Sequence, residues 1–340
     1  MPNSPTLLAA SIATAFGSFA TLPCIADPLP TGGKVVAGQA SISKPTPNAL
    51  QVQQGSANAA IDWQSFSVGR DASVTFQQPS ARSIVLNRVV GSDPSQILGR
   101  IQANGQVFLI NPYGIVFGRE AKVDVAGLVA STANIRNDDF MAGRLRFTSP
   151  GQPGASVVNE GQITVREGGL AALMAPSVAN RGTITARLGT VALASGEAFT
   201  LDPYGDRLIG WVVPASQLSS VVNEGTLSAD GGSVQISARV AASVVDGVIN
   251  LGGTVRARTV GERGGRVVLD GDRGVLIVGS IDASGGGAGE LGGNVQVTGA
   301  TIRLTDDAFV EASGDAGGGA VRMAAARWHP RVSIAARASM

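Results

Sequence analysis

Two short phrases recur along the second half of this chain, and together they restrict its fold more than any other feature. The first is Asn or Asp, any residue, Gly, then a short alternating run: NEGQITV from Asn159, NRGTITA from Asn180, NEGTLSA from Asn223, with looser copies DGVINL from Asp246 and VGSIDASG from Val278. The second opens at Gly: EGGLAALMA from Glu167, LGTVALAS from Leu188, GGSVQISA from Gly231, GGRVVLD from Gly264, GGNVQVTG from Gly292 and GGAVRM from Gly318. Alternation of apolar and polar residues between turn glycines is the pattern of a half-buried strand. The first four starts lie 21, 43 and 23 residues apart, which reads as one repeat of about 22 residues with one copy eroded.

Two or three short strands in every 22 residues suit a β-solenoid, in which each repeat is one coil and like strands stack about 4.8 Å apart in parallel. The expected class is all-β: a right-handed parallel β-helix with an N-terminal β cap. Its inward positions are Ile163, Ile184 and Leu227 in one phrase, and Val234, Ile236, Val267, Leu269, Val295 and Val297 in the other. Gly is expected to turn the corners through positive φ. A solenoid leaves an open edge at its first coil, which invites pairing with other chains. Residues 27–150, rich in aromatics (Trp63, Phe66, Phe76, Phe108, Tyr113, Phe117, Phe140, Phe147), are the expected cap and motif region. Coils are expected over 151–325, followed by an irregular basic tail over 326–340 that holds His329.

Composition narrows the function. The chain has 340 residues, 46 of them Gly, and a formal net charge of +1. That balance argues against a nucleic-acid partner recognised through its phosphates. With one His and one Cys, His-based metal sites and nucleophile–His pairs are disfavoured, and nothing implies a cofactor. Residues 1–26 carry an uncharged apolar run, then Pro23-Cys24-Ile25-Ala26, and read as a secretory signal peptide cleaved after Ala26. An interfacial anchor and lipidation at Cys24 are the weaker alternatives.

The segment from Ala60 to Thr132 carries DWQSF at Asp62, LNRV at Leu86, ANGQVFLINP at Ala103 and GIVFG at Gly114. It resembles the haemagglutination-activity, or two-partner-secretion, domain of filamentous-haemagglutinin-like exoproteins, over roughly residues 33 to 210. The resemblance implies a right-handed β-helix capped by extra strands, export across the inner membrane, and recognition by the periplasmic POTRA domains of a dedicated outer-membrane barrel. It implies an adhesin-like chain, secreted or held at the surface of a Gram-negative bacterium, whose outside partner is a host surface or a carbohydrate. Tyr113 stands where the family often has Asn.

The candidate recognition residues are Asn111, Pro112, Tyr113 and Gly114, with Asn87 and Arg88. By itself Asn-Pro-Tyr-Gly between VFLI and IVF is a type I turn joining two strands. A tight structural turn and a motif presented to the transporter are compatible roles. Arg88, in an apolar strand, is expected to pair locally. The rival class is a β-helical polysaccharide lyase or hydrolase, for which Asp270/Asp272 and Asp306/Asp307 are the close acidic pairs of the repeat region. Both lie in turn-like sequence, where solvated carboxylates are the plainer explanation.

Overall fold

The computed structural model describes residues 29–202, 209–213, 219–239 and 247–329; the expected signal peptide and Cys24 lie outside them. Nearly every described element is a strand, and almost all pair in parallel. The strands stack on three faces of a β-helix. Face A is an eleven-stranded sheet that runs from Ala40–Thr46 to Phe309–Glu311. Faces B and C merge into a seventeen-stranded sheet, because the twelve-residue strand Arg266–Ile277 bends from one onto the other.

Face A shows why the sequence stacks. Its inward positions form one aliphatic column, Leu50, Val74, Ile101, Val123, Ile163, Ile184, Leu227, Val255, Ile281 and Val310, each the register partner of the next. Every member is buried. A fully buried aliphatic side chain contributes about 1.5–3 kcal/mol, and here each is covered by the coil above and the coil below. Val234, Ile236, Val267, Leu269, Val295 and Val297 stack the same way on face B, as expected.

Four expectations need correction. Parallel stacking begins at Ala49–Gln54 with Ser73–Gln77, far ahead of residue 151. The cap is only Lys34–Ala37 and Ala40–Thr46, which close the first coil by antiparallel pairing on two faces. The aromatics are therefore not a cap: Trp63, Phe66, Phe76 and Phe117 lie inside the early coils.

The 43-residue step hides no eroded coil. Asn180 pairs directly with Asn223, and the extra residues leave the helix as the hairpin Ala198–Leu201 and Ile209–Val213. With Asn134–Ile135 and Arg146–Ser149 this hairpin forms a four-stranded antiparallel sheet laid over face B. Between them is a second core that contains Leu86, Phe108, Phe140, Phe147 and Phe199, with Phe108 6.1 Å from Phe140 and 6.3 Å from Phe147 between ring centroids. Strands Leu170–Ala175 and Thr190–Ser195 are consequently buried on both sides and do not alternate. Their outward residues Ala172 and Ala192 are small.

Third, positive φ turns only some corners: Gly168 and Gly231 have it, at +74° and +68°, while Gly161, Gly182, Gly225, Gly253 and Gly279 do not. Those without it stack on one another, and a Cβ on Gly225 would lie 2.1 Å from the Gly182 carbonyl oxygen. Close approach, not handedness, requires glycine there. Finally, the strand Ala320–His329 continues into the expected irregular tail, with Arg327 opposite Thr301 and His329 opposite Arg303. A ladder needs only backbone partners, so the loss of Gly-bounded alternation did not end it.

Candidate functional site

Asn111–Gly114 forms the corner between Gln106–Ile110 on face B and Ile115–Phe117 on face C. The turn is closed by the Gly114 N–H donating to the Asn111 carbonyl at 3.0 Å. The Asn111 side chain is wholly buried and fully used. Its Oδ1 accepts from the Tyr113 N–H at 2.9 Å, an Asx-type cap. Its Nδ2 donates to the Asp93 carbonyl at 2.9 Å and to Ser95 Oγ at 3.0 Å, which ties the turn to the preceding coil. The Pro112 carbonyl accepts from the Gln152 N–H at 2.8 Å. Gly114 has φ +116°, which a side chain would strain. Tyr113 is the member that faces solvent, at 38% exposure.

Asn87 and Arg88 point to opposite sides of the strand Ile84–Val89. Asn87 lies inside the helix with 0% exposure, where Trp63 Nε1 donates to its Oδ1 at 3.0 Å. Arg88 points outward, under the extra sheet. Its Nη1 donates to Asp62 Oδ1 at 3.0 Å on the adjacent strand. Its Nε reaches Asn134 Oδ1 at 2.8 Å, and its Nη2 reaches the Ile135 carbonyl at 2.7 Å and Asn137 Oδ1 at 2.8 Å. The Arg88 side chain is 12% exposed, so these bonds are charge-assisted and largely shielded.

The six residues do not converge on one surface. The turn and the Asn87–Arg88 pair are neighbours on adjacent strands, with Arg88 opposite Ile110, but they tie down different parts of the fold. The sequence did not reveal Ser95, Asn134 and Asn137, which complete those ties. Asp62 was visible in DWQSF without its partner, since pairing across coils depends on register.

The carboxylates of the rival class are engaged or scattered. Arg239 holds Asp270 at 2.5 Å and Asp272 at 2.7 Å, and Thr298 Oγ1 donates to Asp270 at 2.9 Å. Asp306 and Asp307 are exposed turn residues. Among the described residues no three His, Cys, Asp or Glu side chains gather in a way that could hold a metal ion.

Residues 26–291 match the family model described as the TPS secretion domain. A heme/hemopexin-binding protein of Haemophilus influenzae strain Rd is 34% identical over a region that covers 72% of this chain and 27% of that protein. A second Haemophilus influenzae heme/hemopexin-binding protein is 32% identical, over 72% of this chain and 28% of the relative. The chain thus spans about a quarter of the length of the relatives it matches. Among solved structures, the HMW1 secretion domain from Haemophilus influenzae superimposes with a TM-score of 0.77 at 30% identity, covering 86% of this chain and 76% of that one. Two-partner-secretion exoproteins are released by Gram-negative bacteria, and their secretion domains interact with cognate outer-membrane transporters. A stacked coil with an antiparallel cap, the motif turn at one of its corners and a family match over most of its length place this chain in the TPS secretion domain family.

Proposed function

We propose that the segment from about Asp62 to Thr132 is read by the transporter's POTRA domains while the chain is unfolded, and that the same residues then nucleate the β-helix outside the cell. The observation that carries this reading is the burial of Asn87 and Asn111, both at 0% exposure with their side-chain amides bonded inside the fold. Neither side chain is available to a partner once the coils have closed. An extended segment is suited to strand addition at the edge of a small folded domain. The path is through the periplasm, following the signal peptide.

Directional movement without ATP then comes from folding. Each emerging coil covers the aliphatic column of the coil before it, and a bias of about 0.1 kcal/mol per residue accumulates against back-sliding. The exported chain acts at the cell surface, adhesin-like and not as an enzyme.

The test is export of Asn111→Ala and Tyr113→Ala chains by the cognate transporter, with protease resistance of the released protein as the measure of folding. Asn111→Ala is expected to lower export. Tyr113→Ala keeps the backbone N–H that bonds Asn111 and is expected to fold normally, so any loss of its export reports contact with the exposed ring. Undiminished export of a normally folded Asn111→Ala chain would contradict a role for the turn.

A further inference from the structure

The order in which the segments emerge conflicts with the order in which their contacts can form. Leu86 and Phe108, on strands of the early coils, face outward into the second core and not into the helix. Their cover arrives late. The Arg88 acceptors Asn134, Ile135 and Asn137 lie 46 to 49 residues downstream. The strand Arg146–Ser149 is in turn completed by Ala198–Leu201, with Phe147 opposite Phe199. Until residues 134–149 are outside, this apolar face of the first coils is left in water, and the sheet that covers it stays unfinished until Ala198–Leu201 follows.

Beyond that point the arrangement changes. The outward positions of face B that follow Ala192 include Gln235, Val268 and Gln296, mostly polar and each half-buried, and no strand of the outer sheet is described beyond Val213. Each of these coils can be sealed by its predecessor alone.

We infer that Arg88 is a positioning residue that latches the outer sheet onto the first coils, so that residues 34–213 close as one cooperative unit before later coils add singly. The inference rests on the proposal that folding follows export, and it extends that proposal by naming the committed unit and its latch. A cooperative unit of this kind exchanges its amide hydrogens through a shared opening. A charge-assisted bond removed from one part of it therefore lowers protection throughout, including where Arg88 makes no contact.

Native-state hydrogen exchange on the full chain, without the transporter, tests this independently of export. In Arg88→Met the amides of Ile84–Val89, Arg146–Ser149 and Ala198–Leu201 are expected to exchange about ten- to hundredfold faster, together. Those of Ser280–Asp282 and Phe309–Glu311 are expected to be unchanged. Arg88→Lys, which keeps the charge without the planar fork, is expected to restore part of the protection. Should Arg88→Met fail to fold, Asn137→Ala removes one acceptor and is expected to give the same pattern at about fivefold. Faster exchange confined to residues 134–149, or spread equally over every coil, would overturn the inference. A chain that shows the expected pattern yet is exported normally with Asn111→Ala would fault the recognition proposal alone.

Discussion

Trp63 donates its indole N–H to Asn87 Oδ1 at 3.0 Å, with both side chains enclosed by the first coils. The two residues belong to separate stretches of sequence, DWQSF and LNRV, and parallel stacking brings them together: Asp62 faces Arg88 and Trp63 faces Val89 across adjacent strands. Asn87 stands in a column otherwise made of Ile61, Leu109 and Ala130. Its amide is there for the indole.

Asn87→Leu suits that column in shape but leaves the Trp63 N–H unpaired. The expected loss of stability is about 1–3 kcal/mol, the cost of an orphaned buried donor. Chemical denaturation followed by tryptophan fluorescence measures it, and Trp63→Phe in the same background is expected to recover part of the loss.

A second amide column predicts a graded response. Asn159 donates to Asn180 and Asn180 donates to Asn223, each at 2.8 Å, before the column ends at Leu251. Asn180→Leu takes one acceptor from Asn159 Nδ2, which keeps only the Gly161 carbonyl at 3.3 Å, and takes the donor from Asn223 Oδ1, an expected cost of about 2–4 kcal/mol. Asn223→Leu extends the apolar end, and Asn180 Nδ2 keeps the Gly182 carbonyl at 3.2 Å and the Thr226 carbonyl at 3.4 Å, so about half that loss is expected. Equal midpoints for the two variants in urea would contradict this arrangement.

How far this fold was legible depended on whether burial was one-sided. Ile163, Ile184 and Leu227 were readable as a core column because their neighbours Thr164, Thr185 and Ser228 are polar and the period of two is clean. The early coils were not, since Leu86 and Phe108 are apolar for the sake of a second core that forms only in three dimensions. The same outer sheet lies behind the 43-residue step, which a periodicity count could only take for a lost repeat. In the site, the Asn111 turn was legible because its chemistry is local to four residues. The role of Arg88 was not, because three of its four acceptors lie 46 to 49 residues away.

The glycine column separates two kinds of glycine. At Gly225 a Cβ meets the Gly182 oxygen at 2.1 Å, whereas at Gly264 nothing lies within 4 Å. Gly225→Ala is expected to destabilise by about 1–3 kcal/mol through forced backbone displacement. Gly264→Ala is expected to be neutral or to stabilise by up to about 1 kcal/mol, by restricting the unfolded chain. Thermal unfolding of the two variants in parallel is the check.

The Glu290 carboxylate is held below the usual glutamate range, first by the Gly287 N–H and then by the Gly261 N–H, each bonded at 2.7 Å. A folded-state value below the unfolded one means that the ionised form favours the closed corner. That contribution is complete above the ordinary glutamate range and is lost as pH falls through the lowered folded value. Amide NMR shifts of Gly261 and Gly287 are expected to move together in that acid window and to become flat in Glu290→Gln.

Recognition before folding is tested most directly by offering the transporter's isolated periplasmic domains the same full chain in two states, native and freshly diluted from denaturant. The account predicts capture of the unfolded chain, weakened by Asn111→Ala, and no capture of the native one, in which Asn87 and Asn111 are sealed. Equal binding of the native chain, unaffected by Asn111→Ala, would contradict it.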